Sequence, residues 1–311
     1  MSNKGLRMLG VAVAIVLAGV VRAAGAQAGP APLPVDYSTL VALADSIRYP
    51  GSEPPGVNDW SCRSAKHPEP VVLVHGTHAN MRVNWNALAP LLKNDGYCVF
   101  ALNFGGLKFG QIGGTGDIRD SVGELDRFVD RVRAATGATV VDLVGHSQGG
   151  PLIRYYTSVV GGASKVHDVV ALAPTYRGSD ALGLDPWVAM WRTALPGLAA
   201  ALDELDTAAM QQFRSSEFNT ALAGLPDTVP GLRYTTIVSR YDIVATPMTD
   251  QFLHGPEARN IVVQDVCPND FTDHLAMAYD RVALQEILNG LDPEHAVRPP
   301  CEQMVLPYFG G

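Results

Sequence analysis

Charge and aromatic residues are both sparse in this 311-residue chain, at 17% and 7%, and there is no basic excess. Twenty-three Lys and Arg stand against thirty-one Asp and Glu, for a net charge of −8. An acidic chain opposes the counterion release on which nucleic-acid binding rests, so no nucleic-acid partner is expected. A hydrophobic fraction of 47% and a mean hydropathy of +0.09 argue against both a disordered chain and a polytopic membrane protein. The length suffices to bury a sizeable core in one or two domains. The sequence shows no internal repeat, no low-complexity tract, no Gly-x-x-x-x-Gly-Lys-Ser/Thr phosphate loop and no dinucleotide fingerprint. No cofactor is therefore expected, and the absence of Cys-x-x-Cys argues against zinc.

Long apolar runs are missing too. Lys4 and Arg7 precede a charge-free stretch over 8–21, which Arg22 ends, and this is short for a membrane span. Two small-residue sites follow, Ala24-Gly25-Ala26 and Ala26-Gln27-Ala28, of the kind a signal peptidase cuts. The pattern predicts a secretory signal peptide over 1–28 and an extracellular protein, with an uncleaved N-terminal anchor as the alternative. No cysteine follows the cut to carry a lipid. Losing Lys4, Arg7 and Arg22 without an acid takes the net charge from −8 to −11. No stable membrane span is expected after cleavage.

Four cysteines remain, Cys62, Cys98, Cys267 and Cys301, an even number that reads as disulfides in an exported protein. Three pairings are possible. Two cysteines near each end favour Cys62–Cys98 and Cys267–Cys301, because each pairing closes the shorter loop.

Residues 29–68 are rich in Pro, Gly and Ser and read as an extended leader with one short helix over 38–47. Nearly continuous apolar runs follow at 70–75 (PVVLVH), 97–102 (YCVFAL), 139–144 (TVVDLV) and 166–173 (VHDVVALA), which suit strands buried on both faces. Helical patterns separate them at 85–93 and at 118–135, where Ile118, Val122, Leu125, Val129 and Val132 recur at three- and four-residue steps. Alternation of this kind predicts a mainly parallel α/β sheet flanked by helices, over 69–311. Further strands are expected at 232–238 and 260–266 and a closing helix at 275–289. Pro, Gly and alanine-rich helical pieces over 174–231 interrupt the rhythm after the fourth strand and read as a helical cap or insert. The Gly-rich run 105–116 (GGLKFGQIGGTG) reads as a mobile flap.

Gly145-His146-Ser147-Gln148-Gly149 lies between the strand TVVDLV and a helical stretch, the setting of a nucleophile elbow. Its glycines permit a sharp turn, the serine hydroxyl stands exposed at the strand end, and the helix N-terminus offers free amides to developing negative charge. A helix N-cap would account for Ser147 but not for both glycines. A serine at neutral pH requires a base and an orienting carboxylate, in the chain order Ser, acid, His for this kind of sheet. Asp242 sits just past the strand LRYTTIV and His274 on a loop after the next strand, where sheet enzymes place reacting groups. Asp250, Asp265 and Asp270 are the substitutes for the acid. His254 and His295 read as surface residues and His167 as structural. Acyl transfer also calls for two amides aimed at an oxyanion, which the elbow assigns to Gln148 and the loop after the first strand to Thr77. His75 reads as a structural hydrogen-bonder and His146 as packing beneath the elbow. Trp187 and Trp191 read either as an acyl-groove wall or as a buried helix face.

Taken together, PVVLVHGT, GYCVFALNFG, GHSQGG, SRYDIVATP and the late Asp-His resemble the secreted class 2 lipases of the α/β-hydrolase superfamily, notably the actinobacterial type, over roughly residues 60–301. The resemblance implies triacylglycerol lipase or carboxylesterase activity on an ester or at a lipid–water interface. It implies Ser147, Asp242 and His274 as triad, Thr77 and Gln148 as oxyanion donors, and the two local disulfides. A secreted acyltransferase with the same triad and a non-catalytic module on a hydrolase scaffold are the competing readings. The oligomeric state is left open. Because an apolar site in a soluble protein invites association, a movable cover is expected from the Gly-rich run or from 187–213, with fixed cap walls as the alternative. N-terminal sequencing of protein recovered from the medium should find a start near Gln27 or Gly29, and thiol titration should find no free cysteine. An intact Met1 or a titrating thiol contradicts this.

Overall fold

Runs of β-branched and apolar residues form the central strands because both of their faces are covered. In the computed structural model β1 (Val71–Val74), β2 (Val99–Leu102) and β5 (Val141–His146) are buried at every position. The structure describes residues 31–301, 305–307 and 310, so the expected signal peptide lies outside the described residues. The chain divides into Met1–Pro32 and Leu33–Gly311, and the second unit carries the fold. With β6 (Val166–Leu172), β7 (Arg233–Val238) and β8 (Ala258–Val262) the strands form one six-stranded sheet in the order β2-β1-β5-β6-β7-β8. Every neighbouring pair is parallel.

The alternating side chains of these strands feed two cores. Val71, Leu73, Val99 and Val144 face one way, toward α2 (Met81–Trp85), α3 (Leu88–Asp95) and the last helix, α11 (Arg281–Leu291). Val72, Val74, Phe100 and Leu143 face the other, toward α4 (Ile118–Thr136) and α5 (Gly149–Ser158). The apolar stripe of α4 is the one expected: Ile118, Val122, Leu125, Val129 and Val132 are buried, Asp117 caps the start and Gly137 ends the helix at φ 77°.

Several boundaries differ from those expected. The stretch 85–93 is not one helix, since α2 and α3 meet around Asn86. The strand expected over 260–266 ends at Val262, and Val263–Val266 turns into the short helix α10. The closing helix is broken: a 3-10 turn at Ala276–Tyr279 precedes Asp280, whose carboxylate accepts from Ala283 N (2.7 Å) and starts α11 anew. In the leader, α1 (Thr39–Arg48) is capped by Ser38, and Val57 bridges to Val99 while the Asn58 side chain exchanges two hydrogen bonds with the main chain of Ala101 (3.0 Å each). The leader thus covers the edge of β2, which would otherwise offer unpaired main-chain groups.

The insert comprises α6 (Asp185–Ala194), α7 (Pro196–Leu205), α8 (Thr207–Gln211) and α9 (Glu217–Ala223). Within the Gly-rich run, β3 (Leu107–Lys108) and β4 (Ile112–Gly113) pair as an antiparallel hairpin.

Cys62–Cys98 ties the leader to the residue before β2, and Cys267–Cys301 ties the C-terminal tail to the segment after α10. Closing a loop across 34 positions of sequence is worth roughly 3 to 4 kcal/mol in the chain-entropy description. Urea unfolding of the Cys267→Ala/Cys301→Ala double variant should show a loss of that order, and a loss below about 1 kcal/mol would contradict the chain-entropy account.

Candidate active site

In an open parallel sheet, ligands collect at the C-terminal strand ends where the winding reverses. Here β1 is followed by β2 on one side and by β5 on the other, so the reversal lies between β1 and β5. Val74 pairs with Gly145, which sets the loop after β1 beside the turn after β5.

That turn holds Ser147 in the left-handed region, at φ 53°, between the end of β5 and the start of α5. Two neighbouring glycines are required by contact. A Cβ on Gly145 would lie 2.7 Å from the carbonyl carbon of Gly149, and one on Gly149 would lie 2.4 Å from Val74 O. Ser147 N donates to Leu172 O (2.9 Å), tying the turn to β6.

Four residues past β7 lies Asp242, and twelve past β8 lies His274, and both are buried. His274 Nδ1 is 2.8 Å from Asp242 Oδ2, and His274 Nε2 is 3.0 Å from Ser147 Oγ. A carboxylate can only accept, so the ring proton is on Nδ1 and the serine hydroxyl donates to Nε2. The other oxygen of Asp242 accepts from Val244 N and Ala245 N (2.8 Å each), and Gln251 Nε2 approaches Oδ2 at 3.3 Å. Four donors thus fix one buried carboxylate.

Two more histidines support the arrangement, and burial keeps both neutral. His146 is pushed down to about 3, by burial first and the adjacent His274 second. A neutral ring carries one proton. His146 Nε2 lies 3.0 Å from the His274 carbonyl and Nδ1 lies 3.0 Å from Asn84 Oδ1, two groups that can only accept, so the single ring proton serves one of them. His75, lowered to about 4 by burial, donates from Nδ1 to Gly76 O (2.8 Å), accepts from Phe104 N (3.4 Å) and stacks on the Phe104 ring.

Thr77 follows β1 and lines a cavity of about 650 Å³ that also opens onto Ser147 and His274. Its walls are largely apolar, with Leu43, Val83, Met210, Phe213, Val244 and Leu275 among them. Gln148 precedes α5, and its side chain donates to Gly114 O (3.0 Å), so the Gly-rich hairpin is fastened to the turn.

The remaining candidates lie elsewhere. His254 and His295 are exposed. Asp250 pairs with Arg214 and Asp265 with Arg240. His167 lies 3.1 Å from Asp142 and 3.3 Å from Asp168 near the N-terminal ends of β5 and β6, at the other end of the strands from Ser147. Those three could together ligate a cation, but Arg233 already grips both oxygens of Asp168. Trp187 is exposed, so it lies neither in a buried helix face nor in the cavity wall; the Trp191 side chain lies outside the described residues. Asn84, Gln251 and Gln212 contribute to the site and carry no motif. Asn84 reaches His146 across 62 positions and Gln212 reaches Thr77 across 135, and neither pairing has a local signal.

Residues 69–224, half of the chain, match the alpha/beta hydrolase fold family, and the chain belongs to it. Among curated proteins it is similar to the triacylglycerol lipases of Pseudarthrobacter phenanthrenivorans and Burkholderia plantarii, each 36% identical over 117 residues. That alignment covers 36% of this chain and 34% and 30% of theirs, so the match spans about a third of the length of these relatives. Among solved structures, Aspergillus fumigatus lipase B superposes with a TM-score of 0.54 at 17% identity, covering 88% of this chain and 64% of that one. Bacillus licheniformis lipase BlEst2 does so with 0.53 at 16% identity, covering 78% and 96%. These likenesses are of fold.

The substitute acid Asp270 has a different environment. It and Asp280 are fully buried against one another, and neither Oδ2 atom finds a hydrogen bond of normal geometry. Burial raises both carboxyls, Asp280 well above the usual range, with the Asp270 charge as its second cause. The neutral form is therefore favoured in the fold. The resulting stability is fully present below the ordinary carboxylate range and is lost as the pH rises through the raised values. Asp280→Asn keeps the cap on α11 and removes that titration. Urea unfolding between about pH 4 and 8 should show the variant gaining on the parent as the pH rises, whereas a pH-independent difference contradicts the account.

Proposed function

We propose that the protein is a serine ester hydrolase acting on carboxylic esters, including lipid esters, through an acyl-enzyme. The observation that carries this reading is the unbroken hydrogen-bonded chain from Asp242 through His274 to Ser147, ending at an apolar cavity. In the proposed reaction Ser147 Oγ attacks the acyl carbon while its proton passes to His274 Nε2. Asp242 stabilises the imidazolium that forms. The amides of Thr77 and Gln148 receive the negative charge of the tetrahedral intermediate. Collapse expels the alcohol, which takes the proton from His274, and a water activated by the same ring releases the acid.

Apolar cavity walls favour an acyl chain over a charged substrate. The curated relatives named as triacylglycerol lipases support the lipid reading, as does the exposed apolar set on the insert, which includes Leu182, Leu184, Trp187, Met190 and Leu198. A water-facing set of that kind suits a lipid–water interface. The leader pattern and the two disulfides are compatible with secretion, and among the described residues no helix is long and apolar enough to cross a membrane. In this reading 1–28 is removed, 29–68 straps the sheet edge, and 174–231 forms the cap of a hydrolase domain over 69–311.

Ser147→Ala and His274→Ala should each lower kcat on p-nitrophenyl esters by roughly 10⁴-fold or more, and Asp242→Asn should fall short of either while leaving the fold intact. An organophosphonate should label the parent at Ser147. A parent that neither hydrolyses the ester panel nor takes the label would refute the proposal.

A further inference from the structure

The loop Gly76-Thr77-His78, which the proposed reaction uses for one oxyanion amide, is held by a different side chain at each residue. Gly76 N donates to Asn84 Oδ1 (3.0 Å), Thr77 Oγ1 accepts from Gln212 Nε2 (2.6 Å), and the His78 ring pairs with Asp206. Two of these three partners flank one short helix of the insert. Asp206 caps α8 through Ala209 N (3.2 Å), and Gln212 follows its last residue. The helix is itself anchored to the body of the fold, with Ala208 N on Thr115 O (3.2 Å) and Gln211 Oε1 accepting from Ile118 N (2.8 Å).

Gln212 is almost fully buried, and its amide has one workable orientation. Its nitrogen faces Ala208 O (3.1 Å), which can only accept, so the oxygen is left to receive the Thr175 hydroxyl (2.8 Å). A fixed donor on Thr77 Oγ1 selects one rotamer of a β-branched side chain, and that rotamer is tied to the main chain carrying the amide. We propose that Gln212 is a positioning residue for the Thr77 amide, holding it where the oxyanion develops. The inference rests on the ester-hydrolase reading.

The test compares the parent with Gln212→Leu, Thr77→Val, Thr77→Ser and the Gln212→Leu/Thr77→Val double variant. It reads kcat and KM on p-nitrophenyl butyrate, inhibition by an alkyl boronic acid that forms a tetrahedral serine adduct, and the melting temperature. Gln212→Leu and Thr77→Val should each lower kcat about 10- to 100-fold. KM should stay within about twofold, and boronic acid inhibition should weaken in step with kcat. The double variant should be no worse than either single one, because both remove the same contact. Thr77→Ser, which keeps the acceptor oxygen, should lose less than Thr77→Val. Parent-level kcat in Gln212→Leu, losses that multiply in the double variant, or a kcat loss without weaker boronic acid inhibition would overturn the inference. Should Gln212→Leu not fold, equal kcat in Thr77→Val and Thr77→Ser would overturn it. A parent that hydrolyses no ester and resists phosphonate labelling would bring down the ester-hydrolase reading and this inference with it, whereas the variant kinetics bear on this inference alone.

Discussion

A non-glycine residue in the left-handed region costs on the order of 1 to 3 kcal/mol and persists only where its surroundings leave no alternative. Ser147 is such a residue, at φ 53°, and its surroundings are unusually close. Gly149 sits where a Cβ would strike Val74 O, and Gly150 sits where one would come 2.4 Å from the Pro174 side chain. A Cβ on Gly76 would touch that of Ser147 at 3.0 Å. The turn is thus wedged between β1, α5 and the segment after β6. Because it cannot relax, the loops after β1, β7 and β8 must be spaced from it, and the hydroxyl position becomes a fixed origin for the site.

Two of those loops meet the serine through polar contacts that leave little freedom. Asp242 spends both oxygens on donors from its own loop, from Gln251 and from His274, so the imidazole receives a carboxylate that is already oriented. His146, inside the elbow, holds the main chain of His274 rather than its ring. The turn that presents the hydroxyl therefore also holds the loop that presents His274, and burial keeps His146 itself neutral.

Legibility in the sequence follows this division between local and distant causes. Ser147 was readable because an elbow is a local object: a strand, two required glycines and a helix start within about ten residues. Asp242 and His274 were readable only by position, as polar residues just past expected strands. The supports were not. Asn84, Gln251 and Gln212 are ordinary amides whose role comes from long-range packing. Boundaries slipped where a cap overrode periodicity. Asp280 restarts α11 inside an apolar pattern that runs on through it, and Val263–Val266 turns helical although its residues suit a strand. The edge pairing of Val57 with Val99 was hidden in a stretch whose Pro and Gly content suggested only a surface wrap.

The Gly-rich run shows how one composition can arise from a different cause. Glycines in a loop suggest a hinge, yet Gly105 and Gly114 at the hairpin base answer to contact. A Cβ on Gly114 would lie 2.9 Å from Gln148 Oε1 and 3.0 Å from Gly76 O, and one on Gly105 would lie 3.1 Å from Gly114 Cα. The hairpin base must approach the loop after β1 and the elbow this closely because Gln148 reaches across to Gly114 O, with Gly114 N bound in turn to Phe104 O (2.9 Å). At the tip a Cβ on Gly110 would lie 3.1 Å from that of Pro50, while Phe109 beside it stands 90% exposed. The same twelve residues therefore combine a base packed against the elbow with one large apolar side chain open to solvent at the tip.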